Sequence, residues 1–277
     1  MTESVNPHKS SNFAIAFWLL PANRRRGLAQ FYRYCREVDD AVDEAHNEAE
    51  ARHGVAVWWA ELARVFEGGS PESATGKALQ QVVREFDLQR ADVEDVLRGV
   101  EMDIAQRRYP TFDSLHVYCY RVASAVGMSA VRIFGRDDAQ ARVYAEALGL
   151  ALQLTNIIRD VAEDARRDRI YLPLDDLRRF EVSEADVLGG VRSERMRALL
   201  MFQAGRAHYY FEVARTALPR RERKKLLAAE AMRVVYFELL REIEARGFDV
   251  FSGKLSVSTG RKAWLAAQRL VARALPL

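Results

Sequence analysis

The chain has 277 residues, of which 49% are hydrophobic and 29% charged; that mix belongs to an ordinary soluble globular protein and excludes a largely disordered one. Its 42 basic against 39 acidic residues leave a net charge of +3, too small and too evenly interleaved to imply nucleic acid as a partner. The two cysteines, Cys35 and Cys119, exclude a disulfide framework and a structural zinc pair, and they read as buried free thiols in a reducing compartment.

In chain order, the first feature is an apolar stretch at 13–22, short of the ~20 residues a membrane-spanning helix needs. It is no secretory signal, because its basic cluster, Arg24, Arg25 and Arg26, follows the apolar run instead of preceding it. The expected location is the cytoplasm, with peripheral contact at the inner face of the membrane left open. Pro21 then marks the start of a helix over 22–46. Apolar periodicity predicts further helices over 55–66, 73–87, 91–107, 111–134, 138–166, 193–218, 219–246 and 261–274. Gly68-Gly69-Ser70-Pro71 and Gly189-Gly190 are loop signals, and Ser193 is an N-cap. Lys254-Leu-Ser-Val-Ser-Thr259 is the best strand candidate. No internal repeat or long linker divides the chain, so the expectation is an all-α fold forming one domain over 1–277.

Two helical segments carry unusual acids. Asp39 and Asp43 lie four apart and share one helix face one turn apart; Arg36, one turn earlier, offsets part of their repulsion. In the second segment Asn156, Asp160 and Asp164 recur at intervals of four, and Gln153 extends the stripe by a turn. The rest of that helix is apolar, through Leu150, Leu154, Ile157, Ile158 and Val161. A lone Asp-x-x-x-Asp is ordinarily a solvated face with ion pairs. Two such stripes, one on an otherwise apolar central helix, point instead to an interior cavity where carboxylates hold cations, since buried carboxylates are costly unless paired or metal-bound. Oxygen donors without neighbouring His or Cys suit Mg2+, which completes its shell with water and substrate phosphate. The pattern is that of a clamp for a diphosphate, with Arg159 and Arg169 as direct phosphate contacts. A di-iron bundle needs two Glu-x-x-His pairs, and only Glu50-Ala-Arg-His53 is present.

Tyr32-Arg-Tyr-Cys-Arg-Glu-Val-Asp-Asp-Ala-Val-Asp-Glu44 resembles the first aspartate-rich motif of the squalene and phytoene synthases, the head-to-head prenyl transferases. Ala151-Leu-Gln-Leu-Thr-Asn-Ile-Ile-Arg-Asp-Val-Ala-Glu-Asp164, followed by Arg169-Ile-Tyr-Leu-Pro173, resembles the second. The likeness runs from about His8 to Lys262. Tyr118-Cys-Tyr-Arg-Val-Ala-Ser-Ala-Val-Gly127, Val131-Arg-Ile-Phe-Gly135, Gly247-Phe-Asp-Val-Phe251 and Arg261-Lys-Ala-Trp-Leu265 are most similar to the bacterial presqualene diphosphate synthases of hopanoid synthesis, although phytoene and dehydrosqualene synthases share most of these motifs.

The resemblance implies an isoprenoid-synthase helical bundle around a central cavity. It implies that Asp39, Asp43, Asn156, Asp160 and Asp164 bind two or three Mg2+ ions bridging the diphosphates. Gln153 and Asn156 match positions bordering the site, and Arg36 and Arg159 match diphosphate-contacting arginines. Ser10 and Phe13 match a stretch that closes over one diphosphate, with Asn12 where many relatives carry a second serine. Tyr32, Tyr118 and Tyr236 match tyrosines near the reacting centre, with Tyr118 the candidate base. Lys254 stands where relatives often carry arginine, which would lose a bidentate fork. Asp103, in Gly99-Val-Glu-Met-Asp-Ile104, also falls in a family-like stretch, and an ion-paired surface role for it stays equally open.

The implied reaction joins two farnesyl diphosphates to presqualene diphosphate, with no NADPH expected at that step. A phytoene synthase acting on geranylgeranyl diphosphate, a dehydrosqualene synthase, a complete NADPH-dependent squalene synthase and a non-catalytic scaffold relative stay open as alternatives. Farnesyl diphosphate is the expected partner, with no nucleic acid; downstream isoprenoid enzymes are further candidates. The basic run Arg220-Arg-Glu-Arg-Lys-Lys225 reads as a solvated helix start rather than a lipid contact.

Overall fold

The computed structural model describes residues 19–223, 226–253 and Gly260. The sequence expectations for Ser10, Asn12, Phe13, Lys254, the strand at 254–259 and the helix at 261–274 lie outside the described residues. Within them the chain is all α-helical.

Helix α1 (Ala22–Asp43) follows Pro21 and buries Leu28, Phe31, Tyr34, Val38 and Val42, spaced three and four apart, against its neighbours. The phenol of Tyr34 donates to the Val93 carbonyl at 2.9 Å, so the one polar atom on that face is satisfied. Helices α2 (Glu48–Phe66), α3 (Ala74–Phe86) and α4 (Arg90–Ala105) pack around α1. Next come α5 (Phe112–Cys119), a single π-helical turn at Tyr120–Ser124 and α6 (Ala125–Ile133). The central helix α7 (Ala139–Arg166) has 28 residues, about 42 Å at 1.5 Å per residue. It starts at Asp138, whose side chain accepts from the Ala141 N–H at 3.0 Å. Two short helices, α8 (Leu174–Arg179) and α9 (Glu184–Leu188), precede α10 (Glu194–Ala217), which packs along α7. The described helices end with α11 (Arg220–Arg223) and α12 (Leu227–Ala245).

The expected boundaries hold for α7 and α10, and Ser193 caps α10 through the Met196 N–H at 3.1 Å. Five expectations need correction. The helix read over 111–134 is interrupted by the π turn. The one read over 22–46 stops at Asp43. The one read from 55 starts at Glu48, where Asn47 accepts from the Glu50 N–H at 3.0 Å. No helix was expected between 166 and 193, where α8 and α9 lie, each too short to show a periodic signal. The single helix read over 219–246 is divided into α11 and α12, with Leu226 outside both. Cys119 is buried as expected, but Cys35 is only partly so.

The π turn sits where two helices approach it without side chains. A Cβ on Gly99 of α4 would lie 2.7 Å from Val122 Cγ1 and 2.8 Å from Arg121 Cβ. One on Gly149 of α7 would lie 2.6 Å from both the Cα and the N of Ser124. A second backbone contact joins distant segments: the Ile170 N–H donates to the Arg107 carbonyl at 3.0 Å and the Leu174 N–H to the Tyr109 carbonyl at 2.9 Å. This short parallel pairing of 107–110 with 170–174 fixes the chain that leaves α7 against the end of α4. Gly149→Ala is expected to cost about 1–3 kcal/mol by overpacking against backbone that cannot yield. Gly205→Ala, on α10 with open space around its Cβ, is expected to gain about 0.4–1 kcal/mol. Urea unfolding of the two variants checks both signs.

Candidate functional site

An apolar cavity of about 200 Å³ lies between α1, the π turn with α6, α7 and α12. Leu28, Phe31 and Tyr32 line it from α1, Leu148, Gly149, Leu152, Gln153 and Asn156 from α7, and Ala228, Ala229, Met232 and Tyr236 from α12. Small residues on three walls (Ala123, Gly127, Ala130, Ala145, Gly149, Ala228, Ala229) leave the space open. Its polar groups are few and sit toward the acidic end of α7, so the cavity can take a long hydrocarbon chain with a polar head at that end.

The four aspartates come together there. Asp39 and Asp43 occupy the last two turns of α1, and Asp160 and Asp164 the last two of α7. The segment leaving α7 spans the gap: Arg167 Nη1 donates to Asp43 Oδ2 at 2.8 Å and Arg169 Nη1 to Asp43 Oδ1 at 3.1 Å. Between them Asp168 adopts φ 54°, a left-handed conformation that Asp tolerates better than most residues. Asp168 is itself held by Arg108 at 2.7 Å. Arg36 donates to Asp39 at 3.0 Å and to Asp40 at 2.7 Å. Arg159 grips Asp160 through both carboxylate oxygens, one at 2.7 Å.

Asp164 differs from the other three: among the described residues no cation bonds its carboxylate. Burial, and then the charge of Asp160, push its pKa up to about 7. Burial, and then Asp43, raise that of Asp39. Asn156 Nδ2 donates to Gln153 Oε1 at 3.3 Å, while Asn156 Oδ1 is buried with no partner.

An orphaned amide oxygen, an unpaired carboxylate and three arginine-paired carboxylates form an all-oxygen donor set that fits hard divalent cations. Among the described residues no three metal-ligating side chains converge into a closed cage. Asp39, Asp43, Asn156, Asp160 and Asp164 are the residues that could hold such a cation.

Tyr32 and Tyr236 line the cavity, and Tyr118 is not part of its lining. The Tyr118 hydroxyl donates to Asp103 Oδ2 at 2.9 Å. Tyr171 donates to Asp103 Oδ1 at 2.7 Å. The rings of Tyr109, Tyr118 and Tyr171 stack on one another with centroids 5.1–5.6 Å apart. Asp103 is thus a half-buried acid bonded by two phenols rather than a surface ion pair, and burial pushes its pKa up to about 6. Tyr109, Tyr171 and Arg167 were absent from the expected site. Only the Arg169-to-Pro173 motif pointed toward any of them.

An acid-walled mouth over an apolar helical cavity defines a protein that binds amphiphiles with anionic heads. Comparison with known proteins makes this specific. The squalene/phytoene synthase profile matches residues 6–261, and the chain belongs to that family, whose members are prenyltransferase-type enzymes acting on prenyl diphosphates. It is 36% identical to 15-cis-phytoene synthase of Synechocystis sp., over 96% of this chain and 84% of that protein. It is also 36% identical to the Synechococcus elongatus enzyme of the same name, over 93% and 87%. Among solved structures, a dehydrosqualene synthase with bound ligand superposes with a TM-score of 0.83 at 29% identity, covering 94% of this chain and 91% of that one. Squalene synthase HpnC from Alicyclobacillus acidocaldarius gives 0.77 at 26%, covering 86% and 89%. No described helix is long and apolar enough to cross a membrane.

Because the folded-state value of Asp164 lies above the ordinary carboxylate value, the folded chain binds a proton between about pH 4 and 7 that the unfolded chain lacks. Its contribution to stability therefore falls as pH rises through that window. Without metal, Asp164→Asn is expected to raise Tm at pH 8 by roughly 2–4 °C, the shift that about 1 kcal/mol produces in a chain of this size. The gain should shrink toward pH 5; thermal melts in chelator across this range check it.

Proposed function

We propose that the chain joins two prenyl diphosphates head-to-head through a cyclopropyl diphosphate. The observation that carries this is the meeting of the two aspartate pairs at one mouth, spanned by Arg167 and Arg169, above an apolar cavity. The mouth suits diphosphate and the cavity suits isoprenoid tails. The likeness to the two cyanobacterial phytoene synthases favours phytoene as product, and with it geranylgeranyl diphosphate as substrate. This displaces the expected farnesyl-to-presqualene reaction from first place. The farnesyl reading, ending at presqualene diphosphate or dehydrosqualene, stays second on the likeness to dehydrosqualene synthase.

In this reading Arg36, Arg159 and Arg169 turn from carboxylates to diphosphate oxygens, where a guanidinium fork matches the acceptors. Asp39, Asp43, Asn156, Asp160 and Asp164 would hold Mg2+, which would supply positive charge to the leaving diphosphate. The aliphatic walls exclude water from the allylic cation, and the ring face of Tyr32 stabilises it through its quadrupole. Tyr236 and Gln153 border the reacting carbons, and Tyr118 takes part in the proton loss that closes the cyclopropane. The apolar product needs a membrane surface or a downstream isoprenoid enzyme to receive it.

The test is incubation with Mg2+ and each substrate, without reductant, with extracts read by mass spectrometry. Phytoene from geranylgeranyl diphosphate is expected. Presqualene diphosphate or dehydrosqualene from farnesyl diphosphate would install the second reading. No product from either, with folded protein, would overturn both. Asp39→Asn and Asp160→Asn should each lower kcat/KM by about 100-fold or more, as losing preorganised electrostatic stabilisation does.

A further inference from the structure

Asp103 is set apart from the aspartates of the mouth by what touches it. Arginines bond the side chains of Asp39, Asp43 and Asp160. Asp103 has a phenol on each carboxylate oxygen, Tyr118 at 2.9 Å and Tyr171 at 2.7 Å. Arg169 reaches only its backbone carbonyl, at 3.5 Å. The two phenol oxygens stand 3.4 Å apart, and the stacked ring of Tyr109 braces both.

The dyad also lies in a telling layer. Tyr118 is in the last turn of α5, and the next turn supplies Val122 and Ala123 to the cavity wall. On its other side, Asp103 is one arginine away from Asp43. C1 of a prenyl diphosphate joins tail to head, so the reacting carbons belong at this same level, between apolar wall and acidic mouth.

Resting on the head-to-head reading above, we propose that Asp103 is the positioning residue for Tyr118 and receives, through it, the proton lost in the condensation. The balance is simple. The C1–O bond of one substrate breaks and its electron pair leaves with diphosphate. The 2,3 double bond of the second substrate attacks the cation. A C–H bond at the newly joined carbon then breaks, and its pair closes the cyclopropane. The proton goes to the Tyr118 oxygen as the phenol's own proton passes to Asp103 Oδ2, leaving a neutral tyrosine and a neutral acid.

Tyr118 could not do this alone. Burial, and then the charge of Asp103, hold its pKa far above the ordinary phenol value, so it does not work as a free phenolate. It becomes a base only if its proton moves on in the same step. Asp103, at about 6, then returns the proton to water at neutral pH.

The test uses the full chain with Mg2+ and whichever prenyl diphosphate the wild type condenses. If the wild type condenses none, the head-to-head reading fails before Asp103 is examined. Asp103→Asn keeps a side-chain oxygen to accept from Tyr118 but is a far weaker proton acceptor. Its kcat for condensation is expected to fall about 100-fold or more, with KM within about twofold. Diphosphate release should continue, with prenyl alcohol replacing the condensed product. The double variant with Tyr118→Phe should be no slower than Tyr118→Phe alone, because the two act as one unit. Three results would overturn the proposal: condensation within threefold of wild type, equal loss of condensation and diphosphate release, or additive effects in the double variant. If Asp103→Asn does not fold, Tyr118→Phe must itself shift product from hydrocarbon to alcohol; an unchanged product ratio overturns the proposal.

Discussion

Carboxylates drawn together at a half-buried mouth repel one another and lose hydration, and both effects raise the free energy of the charged state. The apolar faces of α1 and α7 fix both helices along their lengths, so Asp39, Asp43, Asp160 and Asp164 stay gathered at one mouth. Arginines supply the counter-charge. Arg36 and Arg159 act within their own helices, while Arg167 and Arg169 cross from the end of α7 to the end of α1. The crossing pairs keep the two helix ends within the span of an arginine, and the cavity opens beneath that span. The backbone pairing of 107–110 with 170–174 holds the bridging segment in place. It also delivers Tyr109 and Tyr171 to Asp103, so one loop organises both the mouth and the tyrosine cluster.

The acids are thus sorted by their neighbours. Those beside guanidinium groups stay available for exchange with hard cations and phosphate. Asp103, beside phenols, is committed to a hydrogen-bonded network in a drier place. The same residue type does two jobs because the groups around it differ, not because its own chemistry does.

The acidic stripes were readable in the sequence because helical periodicity is local: spacings of four residues put Asp39 with Asp43 and Asp160 with Asp164 without any tertiary knowledge. The all-helical class followed from the same periodicity. The tyrosine–aspartate cluster was not readable. Its members lie 15 and 68 residues from Asp103, on separate elements with no shared period, and only tertiary packing brings them together. Tyr118 shows the same limit from the other side, since its motif suggested a residue facing substrate but could not tell which way the hydroxyl turns. Product identity was not readable for a different reason. The motifs lie in the acidic stripes and their flanks, whereas the small residues that line the cavity are scattered over α6, α7 and α12 and form no motif.

The π turn at Tyr120–Ser124 makes the compliance of the cavity uneven. Gly99 and Gly149 bring helix backbone against it from both sides, and no flexible side chain intervenes on the Gly149 side to absorb a displacement. That stretch of wall behaves as a rigid anvil. Across the cavity, α12 presents Met232 among alanines, an unbranched side chain that repacks readily. Of the two walls, α12 is therefore the one able to yield to a bulkier guest, and the π turn is the one that keeps its place.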